Sequence, residues 1–325
     1  MKSYGFPHLA LAFGLMLGLA GPAHAQAGDF MEWLAGLKRD AAAQGVPAAT
    51  LDRALTGVQP LPRVLELDQK QPESTMTLGR YINNVVKPER IEKGRQLKVQ
   101  DKAVLHSVSD RYGVPTKVIM ALWAVESGFG VSMGSFRVVD ALATLAFDGR
   151  RPELFRSELI NALKILSRGH FESEDLKGSW AGAMGQVQFM PSTYLHYAVA
   201  YEHAGQPDIW HGQGDVFASA ANYLSTLGWK RDESWGREVA LPAGFDAGLI
   251  GLKDKRTVSE WSKLGVRRLG GAKLPASTIE GSIVQPDGAG GRAFLVYDNF
   301  RVIMKWNHST YFAVAVNMLA DGIGN

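Results

Sequence analysis

No cysteine occurs in the 325 residues. That absence removes disulfides, thiolate zinc sites and cysteine nucleophiles, and with them a lipid anchor on an N-terminal cysteine of a mature chain. An excess of one charge is missing too. The 35 Lys and Arg face 32 Asp and Glu, a net +3, so composition gives no argument for nucleic acid. After the first 25 residues no run is long and apolar enough to read as a membrane span. The eight histidines show no H-E-x-x-H spacing, and no G-x-S-x-G elbow or phosphate-binding P-loop appears. Internal repeats and low-complexity tracts are also lacking.

What is present fits an ordinary folded protein, 46% apolar and 21% charged, long enough for two domains or one core with additions. The first segment reads as an export signal. Lys2 supplies the positive start, Leu9 to Ala20 is a short apolar stretch, and Ala23-His24-Ala25 is a small-residue cleavage site. Cleavage before Gln26 leaves an exported chain without a membrane anchor, and the expected destination is a bacterial periplasm. The alternative is an uncleaved anchor, for which the apolar run is short.

Helical periodicity dominates the rest. Asp29 to Gln44 reads as a helix, with Asp29 at its N-cap and Phe30, Leu34 and Leu37 inward, and a second short helix runs from Pro47 to Leu55. Gln59-Pro60-Leu61-Pro62 reads as a linker. Thr75 to Tyr112 is helical in composition, with Tyr81, Ile82, Val85 and Val86 as core. Its basic residues are interrupted by Glu89, Glu92 and Asp101 and form a solvated face. One helix ends at Glu126. Another opens at Pro152 and runs to Arg168, burying Leu154, Phe155, Leu159, Leu163 and Leu166. Gly182 to Pro191 is a loop, Pro191 to Glu202 is helical, and Asp215 caps a helix from Val216 to Leu227 that Gly228 ends.

From Gly236 to Asp298 prolines, glycines and β-branched runs take over. Ile279 to Val284 and Arg292 to Tyr297 flank a Gly-rich turn and read as a hairpin, and helix returns from Ser309 to Leu319. The expected fold class is mainly α (α+β), a helical core with a small inserted β domain. The boundaries are 1–25 for the signal, 26–112 for an N-terminal helical domain, 113–235 for the core, 236–298 for the β domain and 299–325 for the return of the core.

Glu126 is the residue that points to chemistry. Ile119, Leu122 and Trp123 lie seven, four and three positions before it, which puts a carboxylate on an apolar helix face. Desolvation there raises a carboxyl pKa, as a general acid near neutral pH requires. The plain alternative is a Glu at a helix end reaching sideways to water. The second informative segment is Gly178 to Ser192. Its glycines and alanines open room for a ligand near the backbone, and Gln188 offers an uncharged acceptor and two donors. Its alternative is a tight connection needing positive φ. Aromatic residues are many, and faces such as these line sugar clefts. Most of them belong to the core, and Tyr223 is the best candidate for a ligand contact. His196 and His203 read as surface residues.

With these segments in place, the chain resembles the lytic murein transglycosylase B family from about Phe30 to Ile323. The matching motifs are Ala121 to Gly130, Asp140 to Leu145, Ser179 to Gly185 with Gln188 to Ser192, Ala220 to Leu224, and Asn307-His308-Ser309 with Ala313 to Val316. The resemblance implies a lysozyme-like helical core around a saccharide groove, with 113–235 as the catalytic part. It places the single catalytic acid/base on Glu126. It also implies substrate contacts at Gln188, Tyr223, Asn307 and Tyr81, with Met184 in the loop motif. Two departures stand out. Many relatives carry a calcium loop after the segment that matches Gln188 to Ser192, but here Ala200 and Ala204 bring no oxygen ligands and only Glu202, Asp208 and Asp215 remain nearby, so no metal or cofactor is expected. A family cleft tyrosine is replaced by Phe312, which leaves Tyr311 beside it as the contact.

The implied substrate and partner is the glycan strand of peptidoglycan, cleaved at the β-1,4 bond between N-acetylmuramic acid and N-acetylglucosamine. No obvious second acid lies near Glu126, because Asp140 and Asp148 more simply cap a helix or turn, so a substrate-assisted route fits. Ser127 either orients the Glu126 carboxylate or caps the helix end. A lysozyme-type hydrolase and a non-catalytic glycan-binding scaffold are the competing readings.

Overall fold

Helices account for most of the residues that the computed structural model describes, which are 27–69, 76–201 and 203–324. The proposed export signal lies outside them. In chain order the helices are α1 (Ala27–Ala43), α2 (Ala48–Leu55), α3 (Pro62–Gln69), α4 (Leu78–Val85), α5 (Pro88–Gln100), α6 (Lys102–Tyr112), α7 (Thr116–Ser127), α8 (Val138–Asp148), α9 (Pro152–Leu166), α10 (Pro191–Tyr197), α11 (Gln213–Thr226), α12 (Val258–Lys263), α13 (Asp298–Trp306) and α14 (Thr310–Ile323). The strands are β1 (Phe136–Arg137), β2 (Lys177–Gly178), β3 (Gly236–Ala240), β4 (Arg256–Thr257), β5 (Arg267–Arg268), β6 (Glu280–Val284) and β7 (Ala293–Val296). None of the described helices is long and apolar enough to cross a membrane.

By contact the described chain falls into two units. Residues 27–69 with 122–223 form the first, and 76–121 with 224–324 form the second, the division passing through α7 between Ala121 and Leu122. At the centre of the first unit lies α8, whose residues from Val138 to Ala146 are buried except Asp140. A helix that is apolar on every side must be covered on every side. α9 runs along it, and α3 and β1 also pack on it. α1, α2 and α10 in turn lie on α9.

In the second unit α14 plays the corresponding part. Phe312 to Asn317 are all buried, and α4, α5 and α13 pack around them. Its N-cap is Ser309, whose hydroxyl accepts from the Phe312 amide at 3.3 Å. The five-stranded sheet, ordered β4-β6-β7-β3-β5, is antiparallel throughout. The expected hairpin is its centre, with Ser282 opposite Val296, Ile283 opposite Leu295 and Val284 opposite Phe294. Behind it Val239, Val258, Val266, Ile283 and Leu295 close around Trp261, whose indole N–H donates to the Gly281 carbonyl at 2.9 Å.

Several local expectations are corrected. The supposed linker at 59–62 opens a helix, because Pro62 occupies the first position of α3, where its missing N–H costs nothing. Thr75 to Tyr112 breaks into separate helices at Lys87, just before Pro88, and at Asp101. Asp29 and Asp215 stand in the first turns of α1 and α11, not at their caps. α10 stops at Tyr197, short of the expected Glu202, and Glu202 lies outside the described residues. Leu154 is 42% exposed, off the buried face of α9. Neither α12 nor α13 is expected from the sequence. α12 nevertheless carries a full capping box, Thr257 with Glu260.

Trp261 has no exposed surface, so Trp261→Ala should destabilise the second unit by about 3–5 kcal/mol. The measurement is denaturant unfolding followed by circular dichroism. A loss below about 1 kcal/mol would mean that the sheet does not pack around this ring.

Candidate active site

Glu126 sits one residue from the end of α7, in the first unit, and is half-buried. Ile119, Leu122 and Trp123 on its helix face are all buried. Beyond it the chain turns through Gly128, Phe129 and Gly130, with φ of 62°, 64° and 79°. Left-handed backbone is natural for glycine, but at a bulky residue such as Phe129 it stores about 1–3 kcal/mol. Amides returning toward the helix hold the turn. Gly128 N donates to Ala124 O at 3.1 Å, Phe129 N to Trp123 O at 3.2 Å, and Ser132 N to Ser127 O at 2.8 Å. The Phe129 ring meets Trp123 edge-on, 5.3 Å between centroids.

Ser127 is 1% exposed. Its hydroxyl donates to the Trp123 carbonyl at 3.2 Å and accepts from the Gly130 amide at 2.9 Å. Of the two roles open to it, the geometry gives it the turn, because its one proton already lies on the backbone.

The Gly178–Ser192 segment is a buried loop in which only Gln188 and Met190 are partly open between 178 and 190. Its glycines face protein. A Cβ on Gly182 would stand 2.5 Å from Leu142 Cδ2, and one on Gly185 would stand 2.6 Å from Ile209 O. Both also hold positive φ, 84° and 64°. The tight-connection reading therefore accounts for these glycines. Gln188 itself has φ 50°, and its Nε2 donates to Gly185 O at 2.8 Å and Met133 O at 3.1 Å. With both donors occupied, Oε1 is the polar atom it has left to offer a ligand.

Met184 is corrected. It is wholly buried, and its backbone pairs with Phe189 in both directions, at 2.8 and 3.0 Å. Its side chain belongs to the core and presents no surface to a sugar. Tyr223, on α11, is buried at the ring, lying edge-on to Tyr197 at 4.7 Å and tilted over Phe189 at 5.8 Å. Burial pushes its phenol pKa up, so the hydroxyl is neutral and able to donate.

Two first-unit residues escape the sequence reading. Gln186 is 7% exposed, and its amide bonds Trp123 and Trp210. Nothing in the sequence separates it from Gln188, since both are neutral amides in one apolar loop. Glu158 is a buried carboxylate on α9 whose oxygens take the Ser192 hydroxyl at 2.6 Å and the Ser192 amide at 2.8 Å, anchoring the start of α10. Burial raises its pKa, and the bonds from Ser192 partly offset that. In sequence nothing distinguishes it from a solvated Glu on a surface helix.

The surface reading of the histidines holds for exposure and misses one pair. His196 is exposed, with Nδ1 2.7 Å from Ser192 O. His203 is exposed too, but its Nε2 lies 2.9 Å from Asp215 Oδ2. Asp215 is 2% exposed and also accepts from the amides of Tyr201 and Asp208, each at 2.8 Å. A bond to the Ala204 carbonyl, then the bond and charge of Asp215, raise the His203 pKa.

The second unit holds Tyr81, Asn307 and Tyr311. Tyr81 on α4 is buried and meets Tyr311 on α14 edge-on at 5.9 Å. Asp287, in the turn between β6 and β7, ties these helices together. Its Oδ1 accepts from Leu78 N at 2.8 Å and from the Tyr311 hydroxyl at 2.5 Å. The bond to Asp287, with burial and the carboxylate charge, pushes the Tyr311 pKa up to about 12. Asn307 is buried beyond the end of α13, and its Oδ1 accepts from Ser309 N at 3.1 Å, shaping the turn into α14. Most aromatic residues are core, as expected. Trp123, Trp180, Tyr194, Trp210, Trp235 and Phe312 are buried.

Known proteins share this architecture. A family model described as Transglycosylase SLT domain matches residues 29–321. The membrane-bound lytic murein transglycosylase B of Escherichia coli strain K12 is 34% identical over 249 residues, which are 75% of this chain and 66% of that protein. The chain thus spans just under two thirds of that relative's length. The crystal structure of SltB3 from Pseudomonas aeruginosa in complex with NAG-anhNAM-pentapeptide superposes with TM-score 0.87 at 43% identity, covering 90% of this chain and 79% of that one. Slt35 of Escherichia coli in complex with calcium gives TM-score 0.73 at 30% identity, covering 91% and 92%.

Two titrations test the polar pairs. Removing the Asp287 charge in Asp287→Asn should lower the Tyr311 pKa from about 12 toward the ordinary ~10. Tyrosinate absorbance, with Tyr311→Phe to identify the group, reads it, and an unmoved titration would deny the bond. For His203 the folded pKa lies above the ordinary 6.5. Its stabilisation is therefore complete below that value and lost as pH rises through the folded one. The Tm gap between wild type and His203→Gln should be widest in mild acid and should close in alkali. A gap independent of pH would deny the pairing.

Proposed function

The chain belongs to the transglycosylase SLT-domain family of the lytic murein transglycosylase B type, and from that premise we propose that it cleaves the glycan strands of peptidoglycan without water. The observation that carries the reading is the placement of Glu126, half-buried at the end of an apolar helix face and followed by a strained turn. The bond broken is the β-1,4 link from N-acetylmuramic acid to N-acetylglucosamine. Glu126 enters in its acid form and gives its proton to the leaving oxygen. The substrate's 2-acetamido oxygen closes on the anomeric carbon as an oxazolinium. Glu126, now ionised, takes the proton of the C6 hydroxyl, which attacks C1 and leaves a 1,6-anhydromuramoyl end. That SltB3 is described bound to NAG-anhNAM-pentapeptide supports this product.

Around the reacting sugar, the open oxygen of Gln188 accepts from an acetamido N–H or a hydroxyl, and the neutral Tyr223 hydroxyl donates. Tyr81, Tyr311 and Asn307 are further proposed glycan contacts. Ser127 acts through the turn it staples. The export signal at 1–25 and a periplasmic location belong to the same reading, as do a catalytic core at 113–235 and a β domain at 236–298.

A calcium ion has no place in it. Calcium takes about six to eight oxygen ligands. Ala200 and Ala204 bring none from their side chains, Asp208 Oδ1 accepts from the Trp210 and His211 amides at 2.9 Å each, and the oxygens of Asp215 are taken by two amides and His203. These residues do not fit the ion, and no step depends on it.

Mass spectrometry of soluble fragments from purified peptidoglycan tests the reaction. Anhydro ends, one water lighter than reducing ends, are expected. Reducing ends would make the protein a hydrolase, and bound but uncleaved glycan would make it a scaffold. In the same assay Glu126→Gln should keep glycan binding and lose about 10²–10⁴-fold in turnover. Turnover near wild type would displace Glu126 as the acid.

A further inference from the structure

Gln186 lies beneath the turn that follows Glu126, and its amide is occupied at both ends. Oε1 accepts from the Trp123 indole N–H at 2.7 Å, and Nε2 donates to the Trp210 carbonyl at 2.7 Å. Its backbone amide donates to Ile209 O at 2.8 Å. Gly130 rests directly on the amide, where an added Cβ would stand 2.5 Å from Oε1. Trp123 is three residues before Glu126 and Gly130 four after it, so one buried side chain bears on the helix and on the turn to either side of the carboxylate. Trp123 is also wedged edge-on between Phe129 and Phe217, at 5.3 and 5.2 Å. It therefore transmits any shift of its indole to the end of α7.

We propose that Gln186 is the positioning residue for Glu126, fixing through Trp123 and Gly130 where the carboxylate stands. The inference rests on Glu126 being the acid/base. The chemistry of the site favours an amide here. A partner must accept from an indole N–H and donate to a carbonyl inside a buried loop, and a side chain lacking either function leaves a buried polar group unpaired. Placement matters because an acid displaced by about 1 Å loses about 10²-fold in rate.

Two substitutions test it in the full mature chain. Gln186→Leu removes both bonds at similar size and should lower kcat about 10²-fold, with KM within about twofold, since glycan binding does not pass through this amide. In ¹⁵N spectra the Trp123 indole N–H should lose its protection from exchange. Gln186→Glu is the conservative variant and keeps the inference testable if the Leu protein does not fold. A protonated carboxyl accepts through one oxygen and donates through the other, as the amide does. This variant should work near wild-type rate in acid and lose kcat as pH rises through the ionisation of the introduced carboxyl. Wild type loses kcat with rising pH only through the ionisation of Glu126, so the variant's profile should carry an additional limb, and circular dichroism should show the variant folded across it. A folded Gln186→Leu with wild-type kcat, a loss confined to KM, or a Gln186→Glu pH profile matching wild type would overturn the proposal. A wild type that releases no fragments would instead remove the reading of Glu126 on which it rests.

Discussion

Backbone at the end of α7 is held in a conformation that no sequence of ordinary residues adopts by preference, and the site depends on that constraint. Gly128, Phe129 and Gly130 all have left-handed φ. A run of this kind survives only where its surroundings over-determine it. Here they do so through the Ser127 hydroxyl, through amides returning to Trp123 and Ala124, and through the Gln186 amide under Gly130. The strain has a use. The left-handed Gly128 stops the helix as such glycines commonly do, the strained Phe129 sharpens the turn, and Glu126 is left half-open on an otherwise buried face.

The same device recurs elsewhere with carboxylates in place of the amide. Glu158 holds Ser192 at the start of α10. Asp215 gathers Tyr201, Asp208 and His203 onto the first turn of α11. Asp287 joins the start of α4 to Tyr311 in the second unit. In each case an acid on one element satisfies backbone amides that a loop or a helix start leaves orphaned. Loops that would otherwise be soft are fixed at a few points, without disulfides.

Regular elements are legible where period and punctuation agree. Pro152 with its apolar repeat marks α9, the Gly-rich turn at 285–291 marks the central hairpin, and Ser309 marks the start of α14. Legibility fails where one residue has two local meanings. Pro62 reads equally as a linker or as a first helical position, and Asp215 as a cap or as a first-turn acid. Within the site, Glu126 is legible because a charge among Ile119, Leu122 and Trp123 breaks the pattern. Gln186 is not, because its partners Trp123 and Trp210 are distant in sequence and its neighbour Gln188 carries the same group. Met184 fails for a related reason. A motif marks which positions matter together, but burial decides whether a side chain faces the ligand or the core.

The number of available carboxylates bears on the reaction. A retaining glycosidase of the two-carboxylate kind needs a second acid about 5–5.5 Å from the first, and an inverting one needs it farther away with room for water. The acids shut into the first unit are already committed. Asp68 bonds Arg150, Glu158 bonds Ser192, and Asp215 bonds two amides and His203. Asp140 faces Arg137 at 3.6 Å, and its Oδ1 is enclosed without a hydrogen-bond partner. Burial raises its pKa, and an enclosed oxygen cannot reach an anomeric carbon in a groove. To recruit Asp68, Glu158 or Asp215, the protein would have to break bonds that hold neighbouring segments in place. In the reaction proposed above, the second oxygen comes from the substrate's own acetamido group, which requires no such loss, and Glu126 would carry both proton transfers.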